Sequence, residues 1–208
     1  PCGTIINNDA MKEIIEICKV KGIKVLSDEI YHKIEYQKEK LITAFKIYNK
    51  ALVINSFSKY FLMTGYRLGW IVGDKALINN IRNLSMNFYL SPSSISQYVA
   101  ERVFNYYNYF DNVVLSYLNN RNYLIASLEK IGLTEFVIPK GAFYLYVNIS
   151  KLKKNSYELC KKMVQDIGVT LAPGIDFDDI NGKNYIRFSY ACEKKEIEDS
   201  IKLIKNWI

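Results

Sequence analysis

The runs Ala51-Leu52-Val53-Ile54 and Trp70-Ile71-Val72 carry apolar side chains at successive positions. A strand with one solvated face alternates apolar and polar residues, so an unbroken apolar run implies cover on both faces. Together the two runs predict strands of a mixed or mostly parallel sheet with helices on either side, an α/β architecture. Between them lies SFSKYFLMTGYRLG, residues 56–69, which places Ser56, Ser58, Lys59 and Arg67 in an apolar neighbourhood, with Gly65 and Gly69 framing the arginine. Any fold for this chain has to account for two cations at that point.

The remaining pattern supplies the covering helices. Met11, Ile14, Ile15 and Cys18 recur at helical spacing across residues 9–21, with Asn7 or Asn8 as N-cap and Gly22 as the stop. GIKVLSDEIY follows as a short strand ending in polar residues. From Lys75 the texture becomes helical, over 75–84, over 93–107 after Pro92, and from Asp111 to Lys130 with Gly132 closing it. FVIPKGAFYLYVNIS then reads as a strand broken by Pro139 and Gly141, SYELCKKMVQDIG as a helix and YIRFSYA as a strand. The closing helix aligns Ile197, Ile201, Ile204 and Ile208 on one side. This last portion predicts a compact α+β unit, with domains at 1–110 and 111–208.

Composition removes several function classes. Half of the 208 residues are hydrophobic, enough for a packed core. No run of about eighteen apolar residues exists, and the first residues lack the basic and apolar regions of a signal peptide, so no membrane association is expected and the location is read as cytoplasmic. Cys2, Cys18, Cys160 and Cys192 are scattered without a CxxC pair, which argues against a metal site and against a disulfide framework. The net charge of +7 comes from dispersed lysines rather than a basic block, so no nucleic acid is expected as partner. His32 is the single histidine, which excludes a multi-histidine site and reads as a structural residue. No GxGxxG or P-loop pattern occurs. The chain opens on Pro1 rather than methionine, which is read as the start of a fragment or processed piece.

Lysine is then the nucleophile to consider. A desolvated amine among cations sheds its proton near neutrality and condenses with a carbonyl. Lys59 follows an apparent strand, where open α/β sheets place their ligands. Arg67 could grip a phosphate through its planar fork, with glycines allowing close backbone approach, and Ser56 and Ser58 add hydroxyl donors. Spacing alone leaves open a plain alternative, a surface lysine and a surface arginine after a strand.

The stretch SFSKYFLMTGYRLGW resembles the lysine motif of class I/II, fold-type I pyridoxal-phosphate aminotransferases, S-x-S-K followed by G-x-R-x-G. SDEIYHKIEY is similar to the family's D-E-x-Y segment, SPSSISQYVA and PKGAFYLYVNIS to later landmarks, NYIRFSYA to its substrate-arginine strand, and PCGTIIN to the tail of its N-P-x-G-T segment. The landmarks keep the family's order across essentially the whole chain.

The resemblance implies that residues 1–110 are the C-terminal part of the large cofactor-binding domain, its sheet flanked by helices, and that 111–208 form the small α+β domain. It implies pyridoxal 5'-phosphate as cofactor, amino acid and 2-oxo acid substrates, and a homodimer. Lys59 would bind the cofactor aldehyde and carry the substrate's proton, Asp28 would pair with the ring nitrogen, and Tyr31 would donate to the phenolate oxygen. Ser56 and Arg67, with Ser58 beside them, would hold the phosphate, and Arg187 would take the substrate α-carboxylate. The plain alternatives are a turn cap for Asp28, sheet packing for Tyr31 and a surface position for Arg187. Carbon–sulfur lyases of the same fold, and aminotransferase-like effector domains of transcription regulators, share these residues. Because the family's first half is expected to be missing, the isolated 208-residue chain is expected to be inactive and prone to aggregation.

Overall fold

The computed structural model describes residues 1–37 and 39–208. The chain divides into two compact units, one of Ile5–Asn112 and one of Pro1–Thr4 with Val113–Ile208.

In the Ile5–Asn112 unit, helix α1 (Asn8–Val20) starts where the Asn7 side chain accepts from Ala10 N at 2.8 Å, and the chain turns off through Gly22 at φ 67°. Ile15 is fully buried and packs with Ala44, Ala51 and Val53, with Met11 against the same cluster, whereas Ile14 faces outward. Strand β1 (Leu26–Asp28) is followed by the single helical turn α2 (Ala44–Ile47), then by β2 (Leu52–Ser56) and β3 (Gly69–Val72). Pairing is parallel between β1 and β2 and antiparallel between β2 and β3, in the order β1-β2-β3. The sheet is mixed, as its apolar runs predict. Their burial is uneven: Val53 is 3% exposed in the central strand, while Ile71 and Val72 are 40% and 38% exposed. Among the described residues β3 pairs with β2 alone, and its apolar run is less covered than the pattern suggests.

Helix α3 (Lys75–Tyr89), capped by the Asp74 carboxylate on Ala76 N, runs five residues beyond the stretch read from sequence. Helix α4 (Ser94–Val103) follows, then one 3-10 turn, then α5 (Tyr107–Lys130), which begins four residues before Asp111. Phe57, Tyr60 and Phe61 from the β2–β3 loop interlock with Phe104 and Phe110 at centroid distances of 4.9–5.8 Å. Tilted and edge-on pairs of this kind contribute about 0.5–1.5 kcal/mol each beyond burial. They fix the loop that carries Lys59.

The other unit holds β4 (Tyr144–Asn148), α6 (Ser156–Ile167), β5 (Ala172–Pro173), β6 (Tyr185–Ser189) and α7 (Lys194–Trp207). Its sheet is antiparallel in the order β4-β6-β5, with Tyr146 directly opposite Arg187. Leu145, Val147, Ile186 and Phe188 lie buried on one face, and Leu159, Met163, Ile197, Ile201 and Ile204 of the two helices are buried as well. Ile208, expected on the same side as these isoleucines, is 47% exposed at the end of the chain. The alternating partners Tyr144, Tyr146, Tyr185 and Arg187 occupy the opposite face. Pro1–Thr4 belongs to this unit, where Gly3 O accepts from Lys140 N and Gly141 N at 2.8 and 3.1 Å.

Candidate active site

β1 and β2 run side by side in the same direction, with Asp28 in register with Ile54, so both strands release their loops at one edge of the sheet. That edge is where α/β sheets accept ligands. The first loop is a tight turn, in which His32 N donates to Glu29 O and Ile34 N to Tyr31 O, each at 2.9 Å. The exposed Asp28 carboxylate accepts from Ile30 N at 3.1 Å, so the turn-cap role is real. Glu29 is consumed by the fold, since its Oε1 accepts from Ala44 N at 2.8 Å and from Thr43 Oγ1 at 3.1 Å. His32 Nδ1 lies 3.6 Å from Glu29 Oε2 and keeps the structural role expected of it.

The second loop is wrapped by its own hydrogen bonds. Ser56 Oγ donates to Leu68 O at 3.1 Å, accepts from Ser58 N at 3.0 Å and meets Ser58 Oγ at 2.9 Å. Phe57 N donates to Leu68 O, Met63 N to Phe57 O and Thr64 Oγ1 to Ser58 O, all at 3.1 Å. The Lys59 side chain, half-buried, carries its ammonium 5.9 Å from the centroid of the Tyr31 ring. Arg67 sits in the left-handed region at φ 53° and its guanidinium donates to Thr64 O at 3.0 Å.

Two details depart from the sequence reading. Arg67 is exposed rather than buried, because residues 64–66 form a surface 3-10 turn ahead of an edge strand. Gly65 has open space where a side chain would stand, so it serves no close approach. Gly69 does, since a Cβ there would meet Asn55 O at 2.6 Å and force β3 away from β2.

Asp28, Tyr31, Ser56, Ser58, Lys59 and Arg67 thus occupy two adjacent strand-end loops of one unit. Arg187 belongs to the other unit, on the central strand β6. Its guanidinium carbon lies 4.1 Å from the Tyr144 ring centroid and 4.3 Å from that of Phe177. Its Nε is buried and finds no hydrogen-bond partner among the described residues. The guanidinium carbon thus lies close to two aromatic rings, a contact that attracts a cation, and the buried Nε carries an unused donor.

Sequence reasoning did not single out Tyr144 or Phe177. The signal for Tyr144 was its place two residues before Tyr146 on the same strand face, diagonal to Arg187. Phe177 arrives through the turn APGIDFD, which packs so closely that a Cβ on Gly174 would strike Gly182 O. The same unit contains a cavity of about 420 Å³ lined by Cys2, Phe136, Tyr146, Asp178 and Tyr185 among others. The rings of Tyr146 and Tyr185 stack there at 4.7 Å, and burial followed by the Asp178 charge raises the pKa of the Tyr146 hydroxyl. No three His, Cys, Asp or Glu side chains among the described residues are grouped as metal ligands, and no helix is long and apolar enough to cross a membrane.

The chain belongs to the family described as Aminotransferase class I and II, which it matches over residues 1–204. It is 35% identical over its whole length to the valine–pyruvate aminotransferase of Mycobacterium tuberculosis and 32% identical to the (5-formylfuran-3-yl)methyl phosphate transaminase of Methanocaldococcus jannaschii. Among solved structures it is similar to an aminotransferase from Mycobacterium tuberculosis, with TM-score 0.94 and 35% identity, and to one described as a putative aminotransferase from Silicibacter pomeroyi, with TM-score 0.92 and 34% identity. Each superposition covers 100% of this chain and 54% or 56% of the other. The chain spans about half the length of the curated relatives it matches. The family is one of pyridoxal-phosphate enzymes, and the α/β fold is theirs.

Proposed function

We propose that this chain is the lysine-bearing part of a pyridoxal-phosphate aminotransferase that exchanges an amino group between an amino acid and a 2-oxo acid. The observation that carries the reading is the convergence of the Ser56–Ser58–Lys59 loop and the Asp28–Tyr31 turn at one sheet edge. The chemistry of this donor set fits the cofactor. Serine hydroxyls and a guanidinium suit a phosphate, an amine suits an aldehyde, and a carboxylate suits a protonated ring nitrogen.

When bound, pyridoxal phosphate supplies an electron-withdrawing ring and an aldehyde. Lys59 would offer the amine that holds the aldehyde and would carry the proton of the substrate Cα. Asp28 would keep the ring nitrogen protonated, and Tyr31 would donate to the phenolate oxygen. Ser58 and Arg67 would hold the phosphate, and Ser56 would join them on turning its hydroxyl away from Leu68 O. Arg187 orients the substrate through its α-carboxylate, which the buried unpaired Nε supports. The homodimer and the cytoplasmic location stay part of this proposal.

The test uses the full-length polypeptide that contains these residues, loaded with pyridoxal phosphate and reduced with borohydride. Mass spectrometry is expected to find the reduced cofactor on Lys59, and Lys59→Ala is expected to retain none and to lose transamination. Label on another lysine, or transamination by Lys59→Ala, overturns the reading. Release of ammonia and pyruvate without a 2-oxo acid acceptor would place the protein with the eliminating enzymes instead.

A further inference from the structure

Tyr60, the residue after Lys59, turns inward and is 5% exposed. Its hydroxyl donates to Asp111 Oδ1 at 2.5 Å and accepts from Lys33 Nζ at 3.1 Å. The Lys33 ammonium stands 4.7 Å from the Tyr60 ring centroid, 4.1 Å from that of Tyr107 and 3.7 Å from Asp111 Oδ1. Burial, then the hydrogen bond and charge of Asp111, push the Tyr60 hydroxyl's pKa up, so it stays a neutral donor.

Lys33 closes the turn that begins at Asp28. Its backbone is in the left-handed region at φ 70°, and its N–H donates to Glu35 Oε1 at 2.7 Å. A lysine persists in that conformation only where its surroundings hold it, and such positions gather at working sites. Here the side chain spends its charge on the neighbour of Lys59. The arrangement therefore joins the loop after β1 to the loop after β2 by a polar contact flanked by aromatic rings.

We propose that Lys33, Tyr60 and Asp111 form a clamp that sets where the Lys59 amine stands relative to Tyr31. Lys33 and Tyr60 are positioning residues that act through Lys59, so the inference rests on the proposed role of Lys59. A lysine amine swings on four methylenes, and its reach is defined only if the backbone at residue 59 is fixed. Anchoring the next side chain at ring and hydroxyl does that, while the Lys33 end fixes the turn bearing Tyr31. Displacement of a reacting group by about 1 Å can cost about a hundredfold in rate.

The experiment uses the full-length polypeptide loaded with pyridoxal phosphate. Tyr60→Phe keeps the ring and removes the hydroxyl. Lys33→Met removes the cation from a partly exposed position, and Lys33→Arg restores a cation between the rings. Borohydride is expected to fix the cofactor on Lys59 in all three. Tyr60→Phe and Lys33→Met are each expected to slow the amino-acid half-reaction about tenfold to a hundredfold per labelled site, with KM changed by less than about threefold. A larger kinetic isotope effect with Cα-deuterated amino acid should accompany the loss. Lys33→Arg should recover most of the rate, and the Lys33→Met, Tyr60→Phe double variant should be no slower than the slower single one. Unchanged half-reaction rates in both variants overturn the clamp, as does a lowered thermal midpoint with an unchanged rate per labelled site. If the unmutated protein takes no label on Lys59, the role of Lys59 falls first and the clamp with it.

Discussion

Replacing Arg187 with methionine separates a residue built for folding from one built for a ligand. In the free protein the guanidinium gains from two rings, at 4.1 and 4.3 Å, each contact worth about 0.5–2 kcal/mol. Against this stands a buried Nε without a partner, which costs about 1–3 kcal/mol. The two nearly cancel, and a thioether between aromatic rings keeps favourable contacts of its own. Arg187→Met should therefore change stability by no more than about 1 kcal/mol, a thermal shift of about 5 °C for a unit of this size. Binding is different. In the proposed role a substrate carboxylate on the fork would make two charge-assisted hydrogen bonds of about 1.5–3 kcal/mol each, so their loss should lower kcat/KM roughly 10²- to 10⁴-fold. The assay compares an amino acid with the amine that lacks only its carboxylate. The variant should lose its preference for the amino acid while handling the amine within about threefold of the unmutated protein. A preference that survives the substitution, or a midpoint that drops by more than about 10 °C, would refute the reasoning.

Asn120 is 3% exposed, and its amide donates to Tyr190 O at 3.1 Å and Cys192 O at 2.8 Å. Asn120→Ala leaves both carbonyls short of a donor and should cost about 2–3 kcal/mol, read as a fall of about 10 °C in the thermal midpoint; a change under about 2 °C would contradict it. Cys160 is buried, and desolvation, followed by the Asp176 charge, raises its thiol from the ordinary 9.0 to about 11. Between these values the unfolded chain has released the proton and the folded chain retains it, so stability present below pH 9 is lost as pH rises toward 11. Urea midpoints should fall with pH more steeply across that window in the unmutated protein than in Cys160→Ala, and parallel slopes would sink the assignment.

What could be read from the sequence was local. Capping by Asn7, the stop at Gly22 and the buried row Ile197, Ile201 and Ile204 depend on neighbours within a few positions, and the structure has them. The SFSK loop was legible because a serine–lysine cluster after an apolar run is itself a local pattern. The length of α3 past Leu84 was not, since its last turns are held by no distinctive stop signal. Nor was the exposure of Arg67, because an apolar run looks the same at a sheet edge as at its centre. The rings flanking Arg187 and the Lys33–Tyr60–Asp111 contacts join residues ten to seventy-eight positions apart. No single-sequence periodicity encodes such distances.

The structural contacts of these residues leave room for the proposed roles, for an energetic reason. Capping Ile30 N uses one oxygen of Asp28, whose carboxylate has capacity for several donors, and the cap fixes the side chain's direction at a turn that would otherwise swing. Ser56 gives its hydroxyl proton to Leu68 O and thereby ties the end of β2 to the segment of Arg67, which orders the loop before any anion is present. In Arg187 the guanidinium carbon lies against two rings, and Nε is left unsatisfied. In the proposed site each structural contact would lower the entropy that binding has to remove. Weakening such a contact should then show as slower chemistry in a folded protein more than as unfolding, and the ratio of those two losses measures how far the site was organised in advance.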